Sequence, residues 1–399
     1  MTITALPPAS LGGLTGMWRF AVVSRYPGSV AQGDLSDAAS RTLSFDLLKA
    51  GTMSITVHGT SPQLQWLQEL RSDLVAYRWS AKSGAFVPLM RACITKSEDQ
   101  ITAAGVHSVT FTATDYRGVL ARMLLRDATT YTTLEQATIF SNLVALGNQP
   151  RGFTGALGLT SRCVNPDGSP LAATGITRTR SYTLGQQVAQ ALDDVSTDIS
   201  GFDWSIDPDP ATPGNAGVAT LWYPNRGVVR SAWVAHYGST VSALTRTVDT
   251  STYLSYALTV GNAATVIGEA FGAGWNDPVN HPEGAWMTEQ SQSSVTDATT
   301  CLQYSQGMIA QYGAVLPSYS LTLTPGRWSP DDCWLGDTVR LIVNSGRLSV
   351  DTSQRVVGVA VTVDDNGTES VTLTTGQPPP SANALMRQID RRLSSLERR

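Results

Sequence analysis

The sequence contains little lysine and few charged residues of any kind. Lysine accounts for only three of the 28 basic residues. Charged residues make up 15% of the 399 positions, where about 25% is typical. The formal net charge is −4, so the chain has no overall basic field that would hold nucleic acid. Low charge suits a subunit of an assembly, and the preference for arginine, with abundant alanine and glycine, indicates a GC-rich genome.

Cysteine and histidine are equally scarce, with four of each. No two cysteines form a C-x-x-C pair, and no cysteine or histidine spacing matches a zinc site. We therefore interpret the cysteines as buried or isolated thiols and expect neither a metal nor a cofactor. The residues concerned are Cys93, Cys163, Cys301, Cys333, His58, His107, His236 and His281.

The common catalytic motifs are missing as well. The sequence has no phosphate-binding loop, no dinucleotide-binding glycine motif, no H-E-x-x-H and no G-x-S-x-G. The adjacent carboxylates of Asp193-Asp194 and Asp364-Asp365 are interpreted as solvated charges on a helix and in a turn. We therefore expect a protein that is not an enzyme.

Long apolar runs are absent too. No stretch approaches the roughly 18 apolar residues of a membrane-spanning helix. The first 18 residues lack the basic region and apolar core of a signal peptide. We expect the protein to be made in a cytoplasm and kept there until it is assembled or released.

Short alternating segments dominate what is present, and they predict an α+β fold that is mainly β. Residues 1–126 are predicted to form a small β-barrel or sandwich domain. Its predicted strands are 18–24, 43–48, 53–58, 74–79, 85–94 and 106–114, with a loop at 30–41 and helices at 61–71 and 115–126.

The middle of the chain mixes helices and strands. We predict a mixed α/β domain over 127–240 and a β/α connecting domain with a long helix over 241–318. Thr132 and Glu135 match a capping box for a helix that runs to about Leu146. The remaining predictions are a loop at 150–177, a helix from Thr183 to about 195, strands at 202–206, 219–223, 242–248 and 253–260, and a helix at 294–313.

A second β-barrel domain is predicted over 319–377. Its clearest part is an antiparallel meander with strands at 339–343, 355–363 and 369–374. Asn, Asp and Gly at 344–346 and 364–367 supply the two turns. Leu335-Gly336-Asp337 lies just before the first strand of the meander, and we expect it to have a structural role.

Residues 378–399 begin with three prolines and continue as a candidate short helix. Met386, Ile389, Leu393 and Leu396 repeat at the heptad spacing of a coiled-coil seam, with arginines around them. Two interpretations stay open: a terminal helix that lies on its own domain, and a short coiled coil that closes a trimer. Pre-assembled subunits would give such a short helix the effective concentration that it needs.

Two tryptophans, Trp275 and Trp286, flank a Gly/Pro-rich loop at 271–287. They could stack on a sugar, or they could anchor the loop. Glycan contact is therefore one hypothesis for this segment.

The order of the parts resembles the tail hub, or baseplate hub, proteins of tailed bacteriophages. The resemblance rests on FTATDYRGVLARMLLR at 111–126, SVTDATTCLQYSQGMIAQYG at 294–313 and WLGDTVRLIV at 334–343. More narrowly, the chain resembles minor tail proteins of long non-contractile-tailed phages that infect actinobacteria. In that family an aspartate and a short helix follow the first barrel, as at Asp115, and a Leu-Gly-Asp turn opens the second.

The resemblance implies a homotrimer in the virion, at the tail tip. Its two barrels per subunit would form a ring that matches the sixfold tail tube and presents threefold symmetry below. Implied partners are the distal tail ring, tail-tip proteins, the tape-measure protein and, in passing, phage DNA without specific binding. The alternatives are a carbohydrate-binding tip module and, less favoured, a cell-wall hydrolase. Because the chain stops at Arg399, we expect no enzymatic tail module.

Overall fold

The computed structural model describes residues 17–25, 31–148, 157–196, 200–209, 215–251, 253–261, 263–272, 275, 284–291, 297–314 and 317–376. These residues form 21 strands and four α-helices, which confirms the mainly β, α+β class. They divide into two compact units. The first comprises the chain up to Leu244 together with Ser320–Thr375, and the second contains Thr245–Tyr319.

The elements fall into three groups along the chain. The N-terminal part contains β1 (Trp18–Ser24), β2 (Ala31–Asp34), β3 (Ala38–Asp46), β4 (Thr52–His58), β5 (Ser72–Ser80), β6 (Ala85–Ile101), β7 (His107–Asp115) and α1 (Tyr116–Leu120). The middle contains β8 (Thr129–Glu135), α2 (Gln136–Asn148), β9 (Leu159–Val164), β10 (Thr177–Tyr182), α3 (Val188–Ser196), β11 (Asp203–Asp207), β12 (Gly217–Trp222), β13 (Val229–His236) and β14 (Val241–Thr247). The rest contains β15 (Tyr256–Val260), β16 (Ile267–Phe271), β17 (Met287–Ser291), α4 (Ala298–Tyr312), β18 (Ser318–Leu323), β19 (Thr338–Ser345), β20 (Leu348–Val363) and β21 (Glu369–Thr375).

Seven N-terminal strands form the first strand array, in the order β3-β4-β7-β6-β5-β1-β2. Every neighbouring pair is antiparallel. Met53, Ile55 and Val57 alternate inward and are fully buried, as their spacing predicted. Arg41 of β3, the first strand in this order, lies over the ring of Phe20 of β1, the last strand but one, 5.5 Å from its centroid.

Three local predictions for this part were wrong. The segment 30–41 is not a loop, because it contains β2 and the start of β3. The alternating apolar pattern of β3 was not recognised because one of its inward positions is occupied by a charged residue, Arg41, which is only 8% exposed. The helix predicted at 61–71 is a five-residue 3-10 helix, Pro62–Trp66. The helix after Asp115 ends at Leu120, and Leu124 instead forms a β-bridge with Gln187.

Six strands form the second strand array, in the order β14-β18-β21-β20-β19-β13. The predicted meander is confirmed, because β19 pairs with β20 and β20 with β21, both antiparallel. Strand β20 is longer than predicted. Its first half pairs with β19, and its second half lies between β21 and β3. The N-terminal and C-terminal strands therefore belong to one 13-stranded sheet.

A side-chain contact also connects the two strand arrays. Glu369, at the start of β21, accepts hydrogen bonds from Trp18 Nε1 at 2.7 Å and from Arg78 at 3.0 Å. Arg78 and Glu369 are both largely buried, so this ion pair is shielded from solvent. Strand β21 is thereby tied to β1 and β5 as well as to β20.

Helices α2 and α3, the ribbon β8–β10 and the sheet β9-β12-β11 surround a separate core. Val188, Leu192 and Val195 of α3 are fully buried there, as their helical spacing predicted. Leu184 is 64% exposed, because the helix begins only at Val188. The loop predicted at 150–177 was wrong in part, since β9 occupies Leu159–Val164 and pairs in parallel with β12.

The helix start predicted at Thr132 was also wrong. Residues Thr129–Glu135 form β8, and α2 begins at Gln136. Glu135 caps the helix from outside, because its Oε2 accepts from the backbone N–H groups of Ala137 at 2.7 Å and Thr138 at 3.1 Å. Glu135 is therefore the capping residue, whereas the capping-box pattern predicted Thr132 in that role.

The second unit is a small three-stranded sheet, β16-β15-β17, with α4 packed on one face. Ser305 of α4 donates to the Gly268 carbonyl at 2.8 Å, and its hydroxyl lies 2.8 Å from that of Thr259. A Cβ atom on Gly268 would overlap the backbone of Leu302, so the glycine lets the helix approach the strand. None of the helices in the described ranges is long and apolar enough to cross a membrane.

Candidate functional site

The Leu335-Gly336-Asp337 turn meets a second turn of the first unit, Arg226-Gly227. Gly336 has a φ of +88° and Gly227 a φ of +92°. A Cβ on Gly336 would lie 2.5 Å from the Arg226 carbonyl oxygen, and one on Gly227 would overlap the Gly336 carbonyl. Both positions need glycine, for conformation and for space. We call this contact the glycine junction.

Asp337 fastens the glycine junction with three hydrogen bonds. Its Oδ1 accepts from Val228 N at 2.9 Å, and its Oδ2 accepts from Arg230 Nε at 2.7 Å and Trp334 N at 2.9 Å. The residue is 2% exposed. Because β13 and β19 start their parallel pairing at Val229 and Thr338, the carboxylate holds both strands at their first residues.

Arg355 of β20 joins the same junction from a third segment. Its guanidinium donates to the Gly336 carbonyl at 3.2 Å and to the Arg226 carbonyl at 2.8 Å. It also forms an ion pair with Asp203 of β11. Asp203 in turn accepts from Arg226 N at 2.7 Å. The junction therefore connects the second strand array with the β9-β12-β11 sheet.

A cavity of about 40 Å³ lies beside the junction. That volume holds one or two water molecules at most. Most of its charged side chains already have partners: Arg117 binds Asp193 at 2.7 Å, and Arg226 binds Asp207 at 3.2 Å. Its wall includes Gly51, Asp115, Arg117, Trp204, Arg226 and Leu335. The cavity is too small for a substrate, and its paired charges stabilise the packing.

Asp115, a residue of this wall, has a carboxyl group with a raised pKa. Removal from water raises the pKa of Asp115 from 3.8 to about 6, despite hydrogen bonds from Gly51 N at 2.6 Å and Gly118 N at 3.1 Å. The same side chain caps α1. Asp115 therefore joins β4 to α1 and titrates close to neutral pH.

The described histidines and cysteines do not assemble a reactive site. His107 pairs with Asp99 at 2.9 Å, and His58 contacts Thr60 at 3.2 Å, both at the surface. All four cysteines are free thiols, and burial raises the pKa of Cys163 to about 11 and that of Cys333 to about 12. No three His, Cys, Asp or Glu residues within the described ranges are grouped so that they could hold a metal ion.

Both tryptophans that were proposed to contact glycans have contacts near the start of β15. Trp275 packs on Tyr256 and Phe271, with ring centroids 5.8 and 4.8 Å away. Trp286 is 52% exposed and pairs through its backbone with Ser255. The sequence reasoning missed Tyr256 and Phe271, although each ends the alternating pattern of its strand. Met386, Ile389, Leu393 and Leu396 lie outside the described residues.

The comparisons with known proteins agree on the fold. No protein-family model matches the sequence, and no curated protein matches it by sequence. Three solved structures match almost end to end. A tail protein from Neisseria meningitidis has a TM-score of 0.59 at 11% identity over 90% of this chain and 97% of its own. The chain has the fold of phage tail proteins.

The other two structures lead to the same fold. The 43 kDa tail protein of prophage MuSo2 from Shewanella oneidensis has a TM-score of 0.59 at 9% identity, covering 90% of this chain and 98% of its own. Prophage tail protein gp18 from Listeria monocytogenes has a TM-score of 0.56 at 12% identity, covering 94% and 99%. The tail-protein fold therefore includes both strand arrays and the segments between them.

Proposed function

We propose that this protein is a structural, non-enzymatic component of a bacteriophage tail, and that it forms a homotrimeric hub ring at the tail tip. In this role it adapts the sixfold tail tube to threefold tip components and lines the path by which DNA leaves. The observation that carries the proposal is the likeness to three phage or prophage tail proteins over at least 90% of every chain compared.

The two strand arrays support a change of symmetry at the ring. Each subunit contributes one array from its N-terminal strands and one from its C-terminal strands, and β20 of the second array also pairs with β3 of the first. Three copies that close into a ring would present six arrays. Pairing through β20 would fix the two arrays of a subunit in one relative orientation. A ring needs this fixed orientation, because every subunit must make the same contacts with its neighbours.

The charge balance supports passage of DNA without specific binding. The chain carries a net charge of −4, so it gains little from counterion release on a phosphate backbone. Partners expected at the two sides of the ring are the distal tail ring, the tape-measure protein and other tail-tip proteins. The expected location is the virion, at the tail tip, in a phage of actinobacteria.

The site geometry supports a structural role over an enzymatic one. The cavity beside the glycine junction is too small for a substrate, and two arginines in its wall are held in ion pairs, Arg117 with Asp193 and Arg226 with Asp207. The conformation of Gly336 and the three hydrogen bonds of Asp337 hold the turn before β19 against the turn before β13.

The mass of the purified protein in solution tests the trimer. Light scattering after size-exclusion chromatography should give three times the 42.5 kDa chain mass. The double variant Ile389→Asp/Leu393→Asp should lower the trimer fraction, because it places charges in the proposed coiled-coil seam. Ser395→Asp adds charge to the same segment outside the seam and should leave the mass unchanged. A monomer at every concentration tested would refute the ring.

A further inference from the structure

The three-stranded sheet of the second unit has one covered and one open face. Helix α4 covers the face that carries Ala257, Thr259 and Gly268, and the first two are fully buried. Residues at alternate positions point to the other side. That face is open to solvent, since Ile267, Phe271 and Met287 are 40%, 47% and 59% exposed.

The open face is ordered in rows across the strands. Tyr256 is paired with Phe271 on one side and with Met287 on the other, so the first row is wholly apolar. In the second row, Leu258 lies between Glu269 and Glu289. The face therefore combines a hydrophobic row with a row that carries two carboxylates, and one of these, that of Glu269, accepts a hydrogen bond from the Tyr256 hydroxyl.

Trp275 extends the apolar row into a platform of three rings. Its ring lies 4.8 Å from that of Phe271 and 5.8 Å from that of Tyr256, with interplanar angles of 37° and 35°. The Tyr256 and Phe271 rings are 5.3 Å apart. Trp275 is 36% exposed although it packs on two other rings. We call these three residues the aromatic platform.

The size of this face argues against a protein partner. Five residues on each of three strands span about 16 Å by about 10 to 14 Å, or about 200 Å². A stable protein–protein interface buries about 800 Å² on each partner. The face is thus far smaller than a stable interface needs, while its dimensions suit a short, extended ligand.

We propose that the aromatic platform, with Glu269 and Glu289 beside it, is a binding site for a neutral polysaccharide. Sugar rings present C–H groups on their faces, which pack on aromatic rings, and hydroxyl groups at their edges, which donate to carboxylates. Two carboxylates on the same face repel anionic polymers, so we assign an uncharged polysaccharide and not an acidic one. This site does not depend on the hub role, because it uses only residues of the second unit.

Affinity electrophoresis of the full-length protein tests the site. The native gels contain dextran, laminarin, galactomannan or arabinogalactan. The wild-type protein should be retarded in at least one gel. Trp275→Ala should weaken binding about tenfold, the size expected for loss of a ring-stacking contact. Trp275→Phe keeps a ring and should retain most of the retardation. Glu269→Gln should weaken binding while it leaves the aromatic rings in place.

Tyr304→Ala is the matched control. Tyr304 is an aromatic residue of α4, 40% exposed, on the helix that covers the opposite face of the sheet. Its removal should leave retardation unchanged. Absence of retardation in all four gels would overturn the proposal, as would equal retardation of the wild type and Trp275→Ala. A change in molecular mass of Trp275→Ala in light scattering would overturn it in favour of a subunit contact.

Discussion

Asp337 uses both carboxylate oxygens to hold the glycine junction, so its two oxygens cannot be replaced by an amide. In Asp337→Asn, the new NH₂ group would face N–H donors, and a buried hydrogen bond would be lost. We expect the free energy of unfolding to fall by about 2–4 kcal/mol. Urea unfolding followed by circular dichroism measures this change.

The matched control for that variant is Asp351→Asn. Asp351 pairs with Arg340 at 2.6 Å, but both side chains are more than half exposed. Solvent screens such a pair, so the substitution should leave the free energy of unfolding nearly unchanged. Equal losses for the two variants would show that the junction carboxylate has no special role.

Asp115 makes the stability of the first unit depend on pH. Its folded-state pKa of about 6 lies above the ordinary value of 3.8, so the folded chain holds the proton more tightly than the unfolded chain. The stability from this group is complete below about pH 4 and is lost as pH rises through 6. The free energy of unfolding of the wild type, minus that of Asp115→Asn, should fall by up to about 3 kcal/mol between pH 3 and 7. A constant difference across this range would contradict the displaced pKa.

At the scale of single elements, the start of α2 has a different capping residue from the one that the sequence predicted. Glu135 caps the helix and also accepts from Thr174 N at 2.8 Å, whereas Thr132 is exposed on β8. Glu135→Ala should lower the free energy of unfolding by at least about 1–2 kcal/mol, the usual value of a helix cap. Thr132→Ala should have little effect. If thermal denaturation showed a larger loss of stability for Thr132→Ala than for Glu135→Ala, the predicted capping box would be right and Glu135 would not be the cap.

Elements with strong local signals were predictable from sequence, and elements defined by distant partners were not. The meander β19–β21 has regular alternation and Asn/Gly turns, so β19 and β21 were found at nearly their observed positions, while the first half of β20 was missed. Strand β3 was found only in part, because buried Arg41 interrupts its apolar pattern. Strand β9 has three polar residues in a row, Thr160, Ser161 and Arg162, and its parallel pairing with β12 is indicated by no local pattern.

The same distinction applies to the glycine junction. Leu335, Gly336 and Asp337 were recognisable as a turn before a strand. Their partners Gly227 and Val228 lie more than a hundred residues earlier in the chain, and contacts at that distance leave no periodic signal. Arg355 resembled an ordinary charged residue at the start of a strand. Only the fold shows that it binds two turns at once.

At the scale of the molecule, the shared strand β20 should make the two strand arrays unfold together. Met53→Ala and Leu373→Ala each remove a fully buried side chain, one from each array, and should each cost about 2–5 kcal/mol. We expect both variants to shift the same calorimetric transition, because β20 pairs with β3 of the first array and with β21 of the second. Two transitions, each moved by only one variant, would show that the arrays are independent domains.

The pairing of β3 with β20 also has a consequence for biosynthesis. A ribosome releases β3 early, but β20 is translated close to the end of the chain. During nearly all of synthesis, one edge of β3 exposes backbone N–H and C=O groups that can pair with another nascent chain. Fragments that end before Leu348 are therefore expected to aggregate through β3 instead of persisting as smaller folded proteins. Only finished chains would then be available for assembly.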